Sequence, residues 1–193
     1  MELSLAAYGL NWPAASGTVA RFLALIRSWP ECLDRRKMPG HLTASAWVVD
    51  PTGREVLLTH HRKLDRWVQL GGHADGNQNL PGVARTEAEE EAGAVDLELL
   101  SVLDSISPRA SAEEWSIFDL DIHPIPPYGV VPAHLHFDVR FAFRSPCRID
   151  PRVSDESYDV QWVPVDALSR FTRERSMLRM AEKWRRYSDR STR

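Results

Sequence analysis

Apolar and polar residues recur with different periods along this chain, and the changes of period divide it into elements. Between residues 17 and 29, Val19, Phe22, Leu23 and Ile26 follow helical intervals behind Ser16, a residue suited to capping a first turn. Pro30 ends that pattern, so an amphipathic helix is predicted before it. From Glu31 to Gly40 charges are mixed with Pro39 and Gly40, the composition of a linker. At Leu42 the period becomes that of strands. TASAWVVD and REVLLTHH flank Pro51, Thr52 and Gly53, which predicts a hairpin, and a third apolar patch, RWVQL, runs into Gly71 and Gly72.

Residues 80 to 93 return to helical spacing. Pro81 falls in the first turn, where its missing donor would have no partner, and Gly93 is placed to close the helix. Strand-like VDLELLSVLDSI follows, then WSIFDLDIHPIP and AHLHFDVRFAF around a proline-rich loop, then Tyr158 to Pro164. Asp166 can cap a short helix, and MLRMAEKWRRY predicts a last one with Met177, Met180, Ala181 and Trp184 on one side. This order predicts a mixed α+β domain with helices against a sheet and no internal repeat. The expected division is an N-terminal helical extension and linker over residues 1–40, a main domain over 41–187, and a tail over 188–193.

Composition narrows the class of protein. The 193 residues are 43% apolar and 26% charged, enough for one domain with a core of its own. With 24 basic against 27 acidic side chains, a net charge of -3 gives no global attraction for a nucleic-acid backbone or an anionic membrane. Cys32 and Cys147 lack the spacing of a zinc knuckle, a thioredoxin-like pair or a disulfide scaffold, which fits a reducing compartment. Arg21, Arg27, Glu31 and Asp34 interrupt any apolar run near the N-terminus, so a cytoplasmic location and no membrane partner are expected.

The strongest chemical signal is GGHADGNQNLPGVARTEAEEEAG, residues 71 to 93. On a helix Glu87, Glu90 and Glu91 share one face, while Glu89 points away. Three close carboxylates repel one another unless a cation offsets them, and a hard divalent ion such as Mg²⁺ takes oxygen ligands of this kind. Ala84, Ala88 and Ala92 form a small stripe that lets the helix pack close to a sheet. Gly71 and Gly72 let backbone approach the ion, and a carbonyl there can add a ligand. Read alone, EAEEE is equally a solvated, helix-favouring charge run; the glycines and turn residues around it favour a site.

The strand AHLHFDVRFAF places His134, His136, Asp138 and Arg140 on one face and Leu135, Phe137, Val139 and Phe141 on the other. Such a polar face can satisfy buried groups, contact substrate or transfer a proton, and His-x-His-x-Asp also suits a transition metal. His134 and His136 are taken as substrate contacts. In THHRKLDRW, Arg62, Lys63 and Arg66 form a basic loop able to attract a diphosphate, Arg62 and Lys63 foremost. His73 directly follows Gly72 and so lines the same cleft. Glu113 and Glu114 lie in a loop able to reach it and supply a general base, while Trp47, Trp115 and Trp162 read as core.

On these residues the chain resembles the Nudix hydrolases, the MutT-like family, whose signature is G, five residues, E, seven residues, then R-E-U-x-E-E-x-G-U with U apolar. Gly72, Glu87, Ala88, Glu90, Glu91, Gly93 and Ala94 stand at matching positions. The resemblance runs from about Leu42 to Trp184, and a subgroup carries HHRKLxRW before the signature and HLHxDVRF after it, as at His60 to Trp67 and His134 to Phe141. It implies an α/β/α sandwich with a mixed sheet, Mg²⁺ or Mn²⁺ as cofactor, and hydrolysis of a nucleoside diphosphate linked to another moiety. It further implies Glu87, Glu90 and Glu91 as catalytic and metal-holding residues, with Gly72 as a further metal ligand.

Two positions depart from the signature. Gln78 stands where the first glutamate is expected, and Thr86 where an arginine orients a catalytic glutamate through an ion pair. Arg85 points to a different helix face and cannot take that place. Losing such a partner costs about 10 to 100-fold in metal affinity or activity, which predicts a weakened pyrophosphohydrolase. Two other readings stand beside it: a catalytically impaired nucleotide- or nucleotide-sugar-binding module, and a structural or protein-interaction role carried by the terminal helices. The expected partner is a small diphosphate, nucleotidic in most of the family, and a homodimer is the expected assembly.

Overall fold

The computed structural model describes residues 1–102 and 115–191. Its N-terminal region holds more helix than the hydrophobic spacing announced. Helix α1 (Glu2–Asn11) buries Leu5 and Tyr8, and a short 3-10 turn over Pro13–Ala15 leads into α2 (Ser16–Ser28). The predicted helix thus forms, with Val19, Phe22 and Leu25 buried, but Ser16 is its first residue and makes no side-chain cap.

Strand β1 (Gly40–Val49) is the centre of the sheet. It is buried along its whole length and runs parallel to β7 (His134–Arg144), with Gly40 opposite Leu135 and Val49 opposite Arg144. Its other edge pairs antiparallel with β4 (Leu70–His73) and, past that, with β2 (Glu55–His61) through Val49 and Val56. The apolar patch RWVQL is two strands. Between β3 (Arg66–Val68) and β4, Gln69 leaves the ladder and its amide donates to Asp138 Oδ2 at 3.1 Å and Ser45 Oγ at 3.3 Å.

Strands β5 (Glu98–Leu99) and β6 (Asp119–Ile125) pair with the far edge of β7, and β8 (Ser157–Pro164) pairs with β2. Of the strand-like run after Gly93, β5 pairs only through its two residues, and positions from 103 onward lie outside the described residues. Among the described residues one parallel pair stands among antiparallel ones, so the sheet is mixed, as expected.

Alternation along β1 sends its residues to two layers. Leu42, Ala44, Ala46 and Val48 join a core with α1, α2 and α3 (Leu80–Ala92), while Trp47 and Val49 join a second core with α4 (Arg175–Ser191) and a 3-10 turn over Val165–Arg170. This is the expected α/β/α sandwich with a helical N-terminal extension. Asp166 lies in the first turn of that 3-10 segment, behind Pro164 as N-cap. Met177, Met180, Ala181 and Trp184 are buried together, as their spacing predicted.

Charge is buried where α1 and α4 meet β6. Asp119 accepts from Lys183 Nζ at 2.7 Å and Arg179 Nη2 at 2.7 Å, and pairs with Arg140 at 3.4 Å. Tyr8 receives a 2.6 Å bond from Lys183 and gives one of 3.3 Å to Asp119. Burial opposes ionisation of Asp119, but the Arg179 hydrogen bond and the Lys183 and Arg140 charges outweigh it and hold its carboxyl below the ordinary range. The N-terminal helix is therefore tied into the same network as the C-terminal one.

Candidate active site and histidine cluster

Helix α3 is built by local chemistry that the sequence displays. The Asn79 side chain accepts from the Gly82 N–H at 3.2 Å, Pro81 occupies the first turn, and Gly93 closes the helix in the left-handed conformation at φ 71°. The alanine stripe does what its size suggested: Ala84, Ala88 and Ala92 are wholly buried against the sheet. This fixes the neighbouring face, and Glu87, Glu90 and Glu91 share it: Glu87 half-buried, Glu90 exposed and Glu91 buried.

The glycine pair meets that face directly. A Cβ added to Gly72 would lie 2.2 Å from Glu87 Oε1, so any larger residue would push the carboxylate out of this position. The Gly71 N–H donates to Glu91 Oε2 at 3.1 Å. Burial pushes Glu91 up to about 8 against the lowering effect of that bond, with Glu87, Glu156 and Glu90 adding repulsion. Glu87 is also raised, by burial first and then by Glu90 and Glu156. Oxygen donors brought together in this way, two of them raised by burial and by their neighbours' charge, are the kind that a hard divalent cation takes.

Two contributors to this field were not visible as such in the sequence. Glu156, just before β8, raises both Glu87 and Glu91, and its backbone carbonyl accepts from Arg62 N at 2.8 Å. Arg35, read only as linker, forms a two-pronged ion pair with Asp75 and acts electrostatically on both Glu87 and His73. Mixed charge in the linker was the only signal for Arg35, and nothing in the residues around Glu156 marked it. Glu113 and Glu114 lie outside the described residues.

The substrate-binding candidates divide. Arg62 is held at the rim near Glu156, with Nε donating to the Ser157 carbonyl at 2.7 Å and its guanidinium over Tyr158 at 4.9 Å. Lys63 is exposed in the same hairpin turn. Gln78 and Thr86 are exposed, and Arg85 turns away to lie over Phe143 at 5.7 Å, as helix geometry required. His73, His134 and His136 form a second group, turned to the other side of β4 from Gly72.

The polar face of β7 is not one continuous cleft lining, as its alternation had suggested. Asp138 and Arg140 are buried: Asp138 accepts from Thr43 Oγ1 at 3.0 Å and Ser45 Oγ at 2.8 Å, and Arg140 Nε reaches it at 2.7 Å. Their role is to satisfy one another inside the sheet. Only the start of the strand, His134 and His136, joins a cluster with His41, His73 and His123. Burial first, with the Arg35 charge second at His73 and the neighbouring rings second at His136, lowers His73 to about 4 and His136 to about 2, so these two rings are neutral at physiological pH. His41, His134 and His136 present ligand atoms within 4.8 Å of one another, a set able to hold a divalent metal. His41, before the strand run that announced β1, was the member the sequence did not single out.

Residues 39–184 match the family model of the NUDIX domain. Among solved structures, the dihydroneopterin triphosphate pyrophosphohydrolase of E. coli is similar with a TM-score of 0.53 and 16% identity, over 74% of this chain and 92% of that one. An Ap4A hydrolase from C. elegans, in a binary complex, gives 0.51 and 14% over 76% and 96%, and a NUDIX-family hydrolase from Clostridium perfringens gives 0.50 and 23% over 75% and 95%. At these identities the likeness bears on the fold. No curated protein sequence matches the chain. Among the described residues no helix is long and apolar enough to cross a membrane.

Proposed function

Because this chain belongs to the Nudix family, a family of hydrolases acting on phosphoanhydrides, we propose that it is a divalent-metal-dependent pyrophosphohydrolase using Glu87, Glu90 and Glu91. The observation that carries the proposal is the carboxylate face of α3 pressed against Gly71 and Gly72, with Glu87 and Glu91 both raised by burial first and by neighbouring carboxylates second. These three glutamates, with the Gly72 carbonyl, would hold Mg²⁺ or Mn²⁺. Such a cation neutralises charge on a diphosphate and makes a bound water more acidic.

The chain's own groups supply the rest. The Gly71 N–H fixes the Glu91 carboxylate, and Glu87 and Glu90 would complete the donor set for the ion. In the reaction the water oxygen bonds to phosphorus, the bridging P–O bond breaks, and the water proton passes to a carboxylate. Glu156 is the candidate acceptor outside the helix, since it already acts on Glu87 and Glu91. Arg62 and Lys63 draw the diphosphate to the rim, and His73, His134 and His136 bound the opposite side of β4. A nucleoside diphosphate linked to a second moiety is the proposed substrate class.

A second reading has its own observation. Thr86, at the place of the orienting arginine, is exposed and uncharged, so α3 supplies no cation to Glu87 from within. Such a chain would bind nucleotide with little turnover. Arg35, in the linker and paired with Asp75, adds a positive charge that acts on Glu87. A panel of phosphoanhydrides with Mg²⁺ or Mn²⁺ decides between them, using Glu90→Gln/Glu91→Gln as the blank. Turnover of one panel member, lowered roughly 100-fold or more in the blank, supports the hydrolase. Tight binding of one member without turnover supports the binding module.

A further inference from the structure

We propose that His41, His134 and His136 form a transition-metal site, separate from the carboxylate site and suited to Zn²⁺ or a similar nitrogen-preferring ion. The three residues come from the beginnings of β1 and β7, where the parallel register sets His41 directly beside His136. Their ligand atoms lie within 4.8 Å of one another, and His134 Nε2 stands 3.3 Å from His136 Nε2. Two nitrogens bound to one tetrahedral Zn²⁺ at its usual bond length are roughly 3.3 Å apart, so this edge of the site is already at its working length.

The hydrogen bonds outside the cluster fix which nitrogens face inward. His134 Nδ1 lies 2.9 Å from the Pro132 carbonyl and His41 Nδ1 lies 3.4 Å from the Lys37 carbonyl. A carbonyl only accepts, so each Nδ1 carries the hydrogen and each Nε2 of the neutral ring is left with its lone pair. This is the arrangement that orients histidines at metal sites, where the outer nitrogen donates to a backbone carbonyl.

His41 gives the independent evidence. It is 1% exposed, and its Nε2 has no hydrogen-bond partner. A buried lone pair without a donor is unfavourable, and a metal ion would use it. His73 lies against both His41 and His136, with ring centroids at 5.2 and 5.0 Å, and borders the three ligands.

The donor set separates this site from the glutamates. Imidazole nitrogens suit Zn²⁺, Ni²⁺, Cu²⁺ or Co²⁺, whereas Mg²⁺ takes oxygen. The two sets also face opposite ways across β4: Gly72 meets Glu87 of α3, and His73, the next residue, meets His41 and His136. The same pleat that exposes one side of β4 to oxygen ligands exposes the other to nitrogen ligands.

The test uses the full chain without an affinity tag, stripped by a chelator and then titrated with Co²⁺ in excess Mg²⁺, which occupies the carboxylates. The expected result is one Co²⁺ per chain with visible ligand-field absorption of a four- or five-coordinate, nitrogen-bound ion, abolished by Zn²⁺. Glu90→Gln/Glu91→Gln should retain it. Half-exposed His134→Ala should weaken binding by roughly 100-fold or more, since partners beyond the ligands alone are worth about 10 to 100-fold. His136→Gln should do the same, and if it fails to fold, His134→Ala decides. Absence of saturable Co²⁺ binding, unchanged affinity in His134→Ala, or loss confined to the glutamate variant would each overturn the proposal. Because the glutamate variant is read separately, failure of this site and failure of the hydrolase reading give different results.

Discussion

Glu91 joins stability to function at a single side chain. Its carboxyl, pushed up to about 8 chiefly by burial, holds a proton in the folded chain that an unfolded chain releases near 4.5. Between those pH values the native state binds more protons, so this residue's contribution to stability is fully present below about 4.5 and is lost as pH rises through about 8. Glu91→Gln removes the penalty. In chelator the variant should melt higher than the parent at pH 8, by on the order of 4 kcal/mol or roughly 8–16 °C, with the difference closing as pH falls below 5. Mg²⁺ should raise the melting temperature of the parent at pH 8 and not that of the variant. Thermal melts of both proteins across pH check this, and an equal Mg²⁺ effect on both would place the ion elsewhere.

At the scale of elements, α3 was the most legible part of the chain. Its first-turn proline, its alanine stripe and its closing glycine are local patterns, each legible within a few residues, whereas the Asn79 cap came only with the structure. The two departures on this element are equally local and can be tested there. Gln78→Glu/Thr86→Arg should raise the metal-dependent rate by about 10 to 100-fold, the worth of a partner that orients a ligand. Steady-state rates at saturating Mg²⁺ measure it, and an unchanged rate would mean that Arg35 already fills the arginine's place.

What the sequence hid depends on pairing between distant strands. His41 meets His136 only because β1 and β7 run parallel in one register, and no local pattern states that register. Glu156 reaches the α3 carboxylates because β8 pairs with β2, which again is a tertiary fact. The same limit explains β7, where strict alternation placed Asp138 and Arg140 with the histidines. Their burial under α4 and beside β6 turned half of that polar face into core. Helix α1 escaped because its apolar face is narrow, with Leu5 and Tyr8 buried and Leu3 and Leu10 exposed.

Across the whole molecule, the two helical ends are held to the sheet by one buried charge. Asp119 is fully buried and bonded to Arg179 and Lys183, with Tyr8 of α1 in the same network. Removing one member of such a set leaves the others buried and uncompensated, which costs about 3–5 kcal/mol. Asp119→Ala should lose that much in urea unfolding, while Tyr8→Phe, which deletes only a hydroxyl, should lose about 1 kcal/mol. Equal and small losses in both would show that the network does not tie the N-terminal helix to the sandwich.

The central claim is that water attacks phosphorus under the control of the α3 carboxylates. The most direct measurement is hydrolysis of the best phosphoanhydride in water enriched in the heavy oxygen isotope, with Mg²⁺, reading the isotope in each product by mass spectrometry. The account predicts one heavy oxygen in a single phosphate product, formed in the parent and lost in Glu90→Gln/Glu91→Gln. Labelled product formed at the parent's rate in that variant, or no labelled phosphate from the parent at all, would contradict it.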